Sequence, residues 1–288
     1  MERKNVQGDR SDAHGFRADA PGDRSDASDE RIDMLGDRSD VPAERIDVLG
    51  VGFDGRTVDE AVSRALEIMR GSEKSYVVTP NPEIVWICRR NKALRDAING
   101  AGMVLPDGIG VVIGARILGT PLRCGRVPGI DFAAALFDKM AQSRLTVFLL
   151  GSKPGVAVEA GAYLAEKYPG LVVAGVSDGY FTEDGPVIAM INAAKPDLLL
   201  VCLGAPKQEL WMAENLSRLN AGLCAGLGGS LDVFAGKVKR APVLFRKLGL
   251  EWFYRLLCDP LRIKRMIKLP LFILAVFFKR LRGKRIRP

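Results

Sequence analysis

The stretch LTVFLLGSKPGVAVEAGAYLAEKYPGLVVAGVSDG, residues 145–179, decides the fold. It opens on an apolar run of strand length, Leu145 to Gly151, continues through a segment of helical period, Gly155 to Tyr168, and closes on a second apolar run, Leu171 to Val176. A continuous apolar strand is one buried on both faces, the situation in a parallel sheet covered by helices on each side. The pattern repeats toward the C-terminus. Gly185 to Ala194 has helical period, and DLLLVCLG (Asp197 to Gly204) and GLCAGLGG (Gly222 to Gly229) are again strand-length apolar runs. Such alternation predicts a doubly wound, mainly parallel α/β sheet of Rossmann-like type.

Toward the N-terminus, SYVVTPNPEIV predicts a strand ending at Thr79-Pro80-Asn81-Pro82, where two prolines force an extended bend and delay the next helix until after Asn81. IDVLGVGFDG, from Ile46, reads as a strand entering a turn, and Thr57 with Glu60 makes a capping box for a helix through about Met69. In MVLPDG, Asp107 lands at a strand-to-helix corner, and Arg126 in RVPGID supplies a fixed cation on a second loop. An acid and a cation on two loops predict a site for a polar, phosphorylated substrate.

Ligands of doubly wound sheets bind beyond the C-terminal ends of the strands. Those ends bring forward Thr79, Asn81, Asp107, the Gly151-Ser152-Lys153 turn, Asp178-Gly179-Tyr180, Gly204 to Gln208 and Gly228-Gly229-Ser230. The Gly-Ser-Lys turn offers amides at a helix N-terminus to an anion, or ends its strand for structural reasons alone. Neither a GxGxxG dinucleotide signature nor a Walker A loop is present.

Composition narrows the chemistry. The 288 residues carry a formal charge of +8, unevenly spread: the first fifty residues net −5, residues 237–288 net +14, and the middle is close to neutral. Five cysteines without a CxxC pair fit buried thiols in a reducing compartment better than disulfides or zinc. The single histidine, His14, lies in a polar tail, which excludes Ser-His or Cys-His nucleophilic catalysis and His-ligated metals in the folded body. No secretory signal is visible. Within the tail GDRSD recurs at a 14-residue period, and its composition cannot offset the entropy of ordering. The expected organisation is therefore a disordered tail, 1–45, an α/β domain, 46–242, and a C-terminal appendage, 243–288.

In that appendage the apolar stretch Leu269 to Phe278 is ten residues long, about half of what a spanning helix needs. Flanked by Lys and Arg on both sides, it suits the interface of an anionic membrane. Nucleic-acid binding competes for the same charge, but the run LFILAVFF favours lipid, so no nucleic-acid partner is expected.

Taken in order, TPNPEIV (79–85), LPDGIGVV (105–112), RVPGID (126–131), FLLGSKPGV (148–156), LGAPKQE (203–209), GLGGSLDVFAGKVKRAP (226–242) and LGLEWFYRLLCDPLRIKR (248–265) make the chain resemble the WecG/TagA/CpsF glycosyltransferases. The resemblance implies an inverting transfer of an N-acetylhexosamine, N-acetylmannosamine being the candidate, from a UDP-sugar to a lipid-linked acceptor in cell-surface polysaccharide or teichoic acid synthesis. It implies no bound metal and no cofactor, and the folded part has no DxD motif. By the same resemblance Asp107 is the base, with capping of the following helix as the alternative. Thr79 and Asn81 line its pocket, Asn81 being alternatively only a helix cap. Arg126 contacts phosphate or acceptor, or steadies its own loop. Gln208 hydrogen-bonds sugar or nucleotide, or makes only local bonds.

Arg255, Arg262 and Arg265 match appendage positions facing diphosphates, and their spacing puts them on nearly one helical face, interrupted by Pro260, unless they form a merely solvated basic face. The chain departs from the family at Cys124-Gly125, before RVPG. The expected protein is cytoplasmic and peripheral on the inner face of the cell membrane, with a homo-oligomer compatible. A non-catalytic nucleotide-sugar or anionic-lipid binding protein is the competing function.

Overall fold

A computed structural model describes residues 45–284, apart from the side chains at 262, 264, 265 and 284; the acidic repeats and His14 lie outside these residues. β1 (Ile46–Val48) and β2 (Val51–Phe53) form an antiparallel hairpin. One strand was expected here. The chain instead reverses at Leu49 and Gly50, both at positive φ (58° and 92°), the geometry that suits a two-residue hairpin. Leucine rarely adopts it, which hid the turn. α1 (Val58–Arg70) begins at the expected capping box, with the Thr57 N–H donating to the Glu60 carboxylate at 2.7 Å.

The elements that follow are β3 (Ser75–Val78), α2 (Pro82–Cys88), α3 (Lys92–Asn99), β4 (Met103–Val104), α4 (Ile109–Leu118), α5 (Gly129–Gln142) and β5 (Thr146–Gly151). Then come α6 (Val156–Lys167), β6 (Val172–Ser177), α7 (Asp184–Ala194), β7 (Leu198–Cys202), α8 (Lys207–Asn215), β8 (Leu223–Gly226) and α9 (Ser230–Phe234). β3 to β8 make one sheet in the order β4-β3-β8-β7-β5-β6, every ladder parallel.

Alternate residues of each strand face opposite sides. Val147, Leu149, Leu198 and Leu200 join Phe132, Leu136 and Leu164 in one apolar layer, while Phe148, Leu150, Leu199 and Val201 join Val85, Leu94 and Met212 in the other. All five residues of β7 are buried, so the continuous apolar runs are explained by two covered faces, and the fold is the doubly wound α/β that the sequence predicts. The chain winds outward to β4 and then crosses to β5 in the other half, so a winding reversal lies beside β3 and β8. Crevices open at such reversals.

The C-terminal segment carries α10 (Val243–Lys247), α11 (Glu251–Cys258), α12 (Ile263–Met266) and α13 (Lys268–Lys284). α13 lies on α2 and α4 through Phe272 and Val276, both fully buried. The Phe272 ring sits over Gly114, where an added Cβ would meet it at 2.9 Å, so only glycine admits this approach. Among the described residues no helix is long and apolar enough to cross a membrane. Arg255 does not share a helix with Arg262 and Arg265: α11 stops at Cys258, Pro260–Arg262 is a 3-10 turn, and Arg265 belongs to α12. Pro260 fits the first position of that turn, where a missing N–H costs nothing. All five cysteines are free, and burial pushes the thiols of Cys88, Cys202 and Cys224 up to about 12, which leaves them inert.

Candidate active site

A cavity of about 470 Å3 opens beyond the carboxyl ends of β3, β4, β7 and β8, bounded on its far side by residues of α11 to α13. Thr79, Asn81, Asp107, Arg126, Gln208 and Arg255 all line it. Side chains of Arg262 and Arg265 lie outside the described residues.

The β3 end supplies two of these groups. Thr79 is buried, and its hydroxyl points to the Gly226 carbonyl at 3.5 Å. Asn81 accepts the Ile84 N–H at 3.1 Å as the N-cap of α2, so it caps and lines the cavity at once. The corner bearing Asp107 is fixed from both sides: its own N–H donates to the Pro80 carbonyl at 3.3 Å, and the Val127 N–H donates to the Pro106 carbonyl at 2.7 Å. Those bonds hold the Asp107 and Arg126 loops together.

Asp107 is not spent as a helix cap. The N-cap of α4 is Gly108, at φ 88°, and no side chain caps that helix. The carboxylate instead meets the Gly129 N–H at the start of α5, with Arg255, Glu251 and Arg126 around it. Burial drives its pKa from the ordinary 3.8 up to about 6; Arg255 pulls it down, Glu251 pushes it up, and Arg126 and the Gly129 amide pull it down again. Such a carboxyl is ionised at neutral pH yet basic enough to accept a proton.

Arg126 is committed elsewhere than to an open phosphate site. Its guanidinium pairs with Glu251 at 2.7 Å and donates to the Arg246 carbonyl, so it fastens α10 and α11 beside the cavity. Gln208 is likewise engaged: its Oε1 accepts the Gly228 N–H at 3.0 Å and its Nε2 donates to Glu209 Oε1 at 2.9 Å. The side chain thereby orients the Gly228-Gly229 turn.

Sequence reasoning missed three acids. Glu209, only 1 % exposed, holds the Gln208 amide while its Oε2 has no partner, and burial raises its pKa. It lies within LGAPKQE and was legible there. Asp232 lines the cavity and accepts the Ser152 hydroxyl at 2.7 Å. The Ser152 hydroxyl is therefore directed at a carboxylate, and neither Ser152 nor Lys153 lines the cavity. Gly151 is needed for packing, since a Cβ at its φ of 129° would lie 2.3 Å from the Cys202 carbonyl oxygen. Glu251, 125 residues from its partner Arg126, gave no local signal. Among the described residues no group of three or more His, Cys, Asp or Glu side chains is placed to hold a metal ion.

A doubly wound sheet with one basic carboxylate beside an arginine, and glycine turns at two neighbouring strand ends, defines an α/β site suited to anionic, hydroxyl-bearing ligands. The chain belongs to the WecG/TagA/CpsF family of glycosyl transferases, whose model matches residues 46–286. A protein of Bacillus spizizenii, strain W23, named N-acetylglucosaminyldiphosphoundecaprenol N-acetyl-beta-D-mannosaminyltransferase, is 39 % identical over 202 residues, 70 % of this chain and 78 % of its own. Relatives with the same name occur in Bacillus subtilis 168, 37 % identical over 202 residues with the same two coverages, and in Staphylococcus aureus NCTC 8325, 37 % identical over 229 residues, 78 % of this chain and 89 % of its own.

Proposed function

We propose that this protein transfers an N-acetylhexosamine, N-acetylmannosamine by analogy with its named relatives, from a UDP-sugar to a sugar on a polyprenyl diphosphate, with inversion and without a metal. The observation that carries the reading is Asp107. A direct displacement needs one base at the acceptor hydroxyl: the carboxylate takes that proton as the oxygen bonds to the anomeric carbon and the bond to UDP breaks, the electron pair leaving on the diphosphate. Arg255, facing the same cavity, supplies positive charge toward the leaving group. Gln208 keeps the Gly228-Gly229 turn at the glycine-rich end, where backbone amides can approach a nucleotide closely.

The product belongs to a cell-surface polymer such as a teichoic acid, and the enzyme works at the inner face of the cell membrane. Support for the membrane contact comes from α10 to α13, where Leu244, Leu248, Leu257 and Leu261 are each at least 60 % exposed. The test is incubation of the purified protein with a panel of UDP-N-acetylhexosamines and a lipid-linked N-acetylglucosamine, with and without a chelator. Transfer that survives chelation and is lost in Asp107→Asn is the expected result. Binding of UDP and of anionic vesicles without turnover would replace the enzyme reading with the non-catalytic one.

A further inference from the structure

We infer that a basic cleft between the β1–β2 turn, the C-terminal end of α2 and the last turns of α13 seats the phosphate of an anionic phospholipid. The inference rests on the membrane contact proposed above and adds a discrete site to it, one that shares no residue with the Asp107 cavity.

The cleft encloses about 440 Å3 and is lined by Leu49, Arg89, Ala275, Phe278, Lys279 and Arg282, half of them cations and none an acid. Its parts come from three distant stretches of chain. Leu49 is in the hairpin turn, Arg89 is the C-cap of α2, and Ala275, Phe278, Lys279 and Arg282 recur at i, i+3, i+4 and i+7, which is one face of α13. Arg280, next along the helix, turns away from the cleft to donate to the Leu118 carbonyl at 2.9 Å. The cations that face the cleft are therefore set there by the helix and not by the basic composition of the segment alone.

Their partners leave a surplus of charge. Lys279 is paired with Asp47. Arg89 lies over the Trp86 ring at 4.5 Å, a contact that orients the guanidinium while leaving its edge free to donate. Among the described residues neither Arg89 nor Arg282 is paired with a carboxylate. Cations gathered around so small a volume repel one another, and an anion between them removes that repulsion. Arginine forks match the paired oxygens of a phosphate.

The apolar half of the lining decides what carries the phosphate. Leu49 holds a φ of 58°, which glycine or asparagine adopts at less cost, so an apolar side chain is kept at the turn against the preference of its backbone. Phe278 is 58 % exposed across from it. A free phosphate or a nucleic-acid backbone would leave this half unused. A phosphodiester with acyl chains attached meets both halves, and basic pockets beside membrane-facing helices take such headgroups.

Co-sedimentation of the full chain with vesicles of phosphatidylcholine, with and without phosphatidylglycerol, tests this at about 0.5 M salt, where attraction beyond about 4 Å is screened. The wild type prefers the vesicles with phosphatidylglycerol. Arg89→Gln and Arg282→Gln each weaken that binding about tenfold, as loss of one charge-assisted phosphate pair does. Arg90→Gln removes the same charge one residue away, outside the cleft, and stays within about twofold of the wild type. All three side chains are exposed, so the folded chain tolerates each change. Equal losses in Arg89→Gln and Arg90→Gln would reduce the cleft to diffuse surface charge and overturn the inference. Release of the wild type from the vesicles by glycerol phosphate or an oligonucleotide at matching phosphate concentration would assign the cleft to a soluble phosphate and overturn it too. A wild type that binds neither vesicle removes the membrane contact itself, a different failure.

Discussion

Asp107→Asn should make the protein more stable at pH 8 while abolishing its proposed chemistry. The wild-type carboxyl is driven from 3.8 to about 6 mainly by burial, and a shift of about two units corresponds to about 3 kcal/mol spent to keep it ionised in the folded chain. The side chain is half-buried at a cavity wall, so solvent screening reduces this to about 1–2 kcal/mol. Asparagine keeps the shape and still accepts the Gly129 N–H, but carries no charge to bury. In a chain of this size that energy raises Tm by about 3–6 °C.

The pH dependence fixes the cause. Since the folded pKa is the higher one, the native state holds the proton between about pH 4 and 6 where the unfolded state releases it. Wild-type stability therefore falls as pH rises through that window, and the advantage of the variant opens over the same interval and levels off above about pH 7. Thermal unfolding of both proteins from pH 4 to 8, followed by circular dichroism, measures it. An advantage independent of pH, or a variant less stable at pH 8, would refute the claim that burial of a charged Asp107 is what raises its pKa.

Other consequences follow from the same geometry. With Asp107 as base, kcat/KM for transfer rises with pH along a single ionisation near 6 and falls by about 100-fold or more in Asp107→Asn; a flat profile from pH 5 to 8 would argue against it. Breaking the Arg126–Glu251 pair with Glu251→Gln leaves a half-buried guanidinium without its carboxylate and costs about 1–3 kcal/mol. Its readout is faster proteolysis of the segment after Pro242, and equal digestion of both proteins would count against the clasp. Glu209→Gln preserves an acceptor for the Gln208 amide and stays within about threefold of wild type in KM for the donor, whereas Glu209→Ala frees that amide and raises KM at least about tenfold; equal KM values in both variants would deny Glu209 its positioning part.

Much of this was legible because burial leaves local marks. The parallel strands read as unbroken apolar runs, and the loops at their carboxyl ends named Thr79, Asn81, Asp107 and Gln208, all of which meet in one cavity. What was hidden depends on distant partners or rare backbone. Leu49 at positive φ turned an expected strand into a hairpin. Arg126 looked like a phosphate ligand until Glu251 and Arg246 were brought to it from the C-terminal segment. The partner of the Ser152 hydroxyl, Asp232, comes from α9, eighty residues away. Spacing put three arginines on nearly one helical face, interrupted by Pro260, and the helix bearing Arg255 ends at Cys258, before the other two.

The central claim is that this cavity performs metal-independent glycosyl transfer with Asp107 as base. Mass spectrometry of a lipid-linked N-acetylglucosamine, incubated with each UDP-N-acetylhexosamine in the presence of EDTA, tests it most directly. A mass gain of one N-acetylhexosamine with the wild type, and none with Asp107→Asn over the same time, is the predicted result. An unmodified acceptor with every donor, or a variant as active as the wild type, would contradict it.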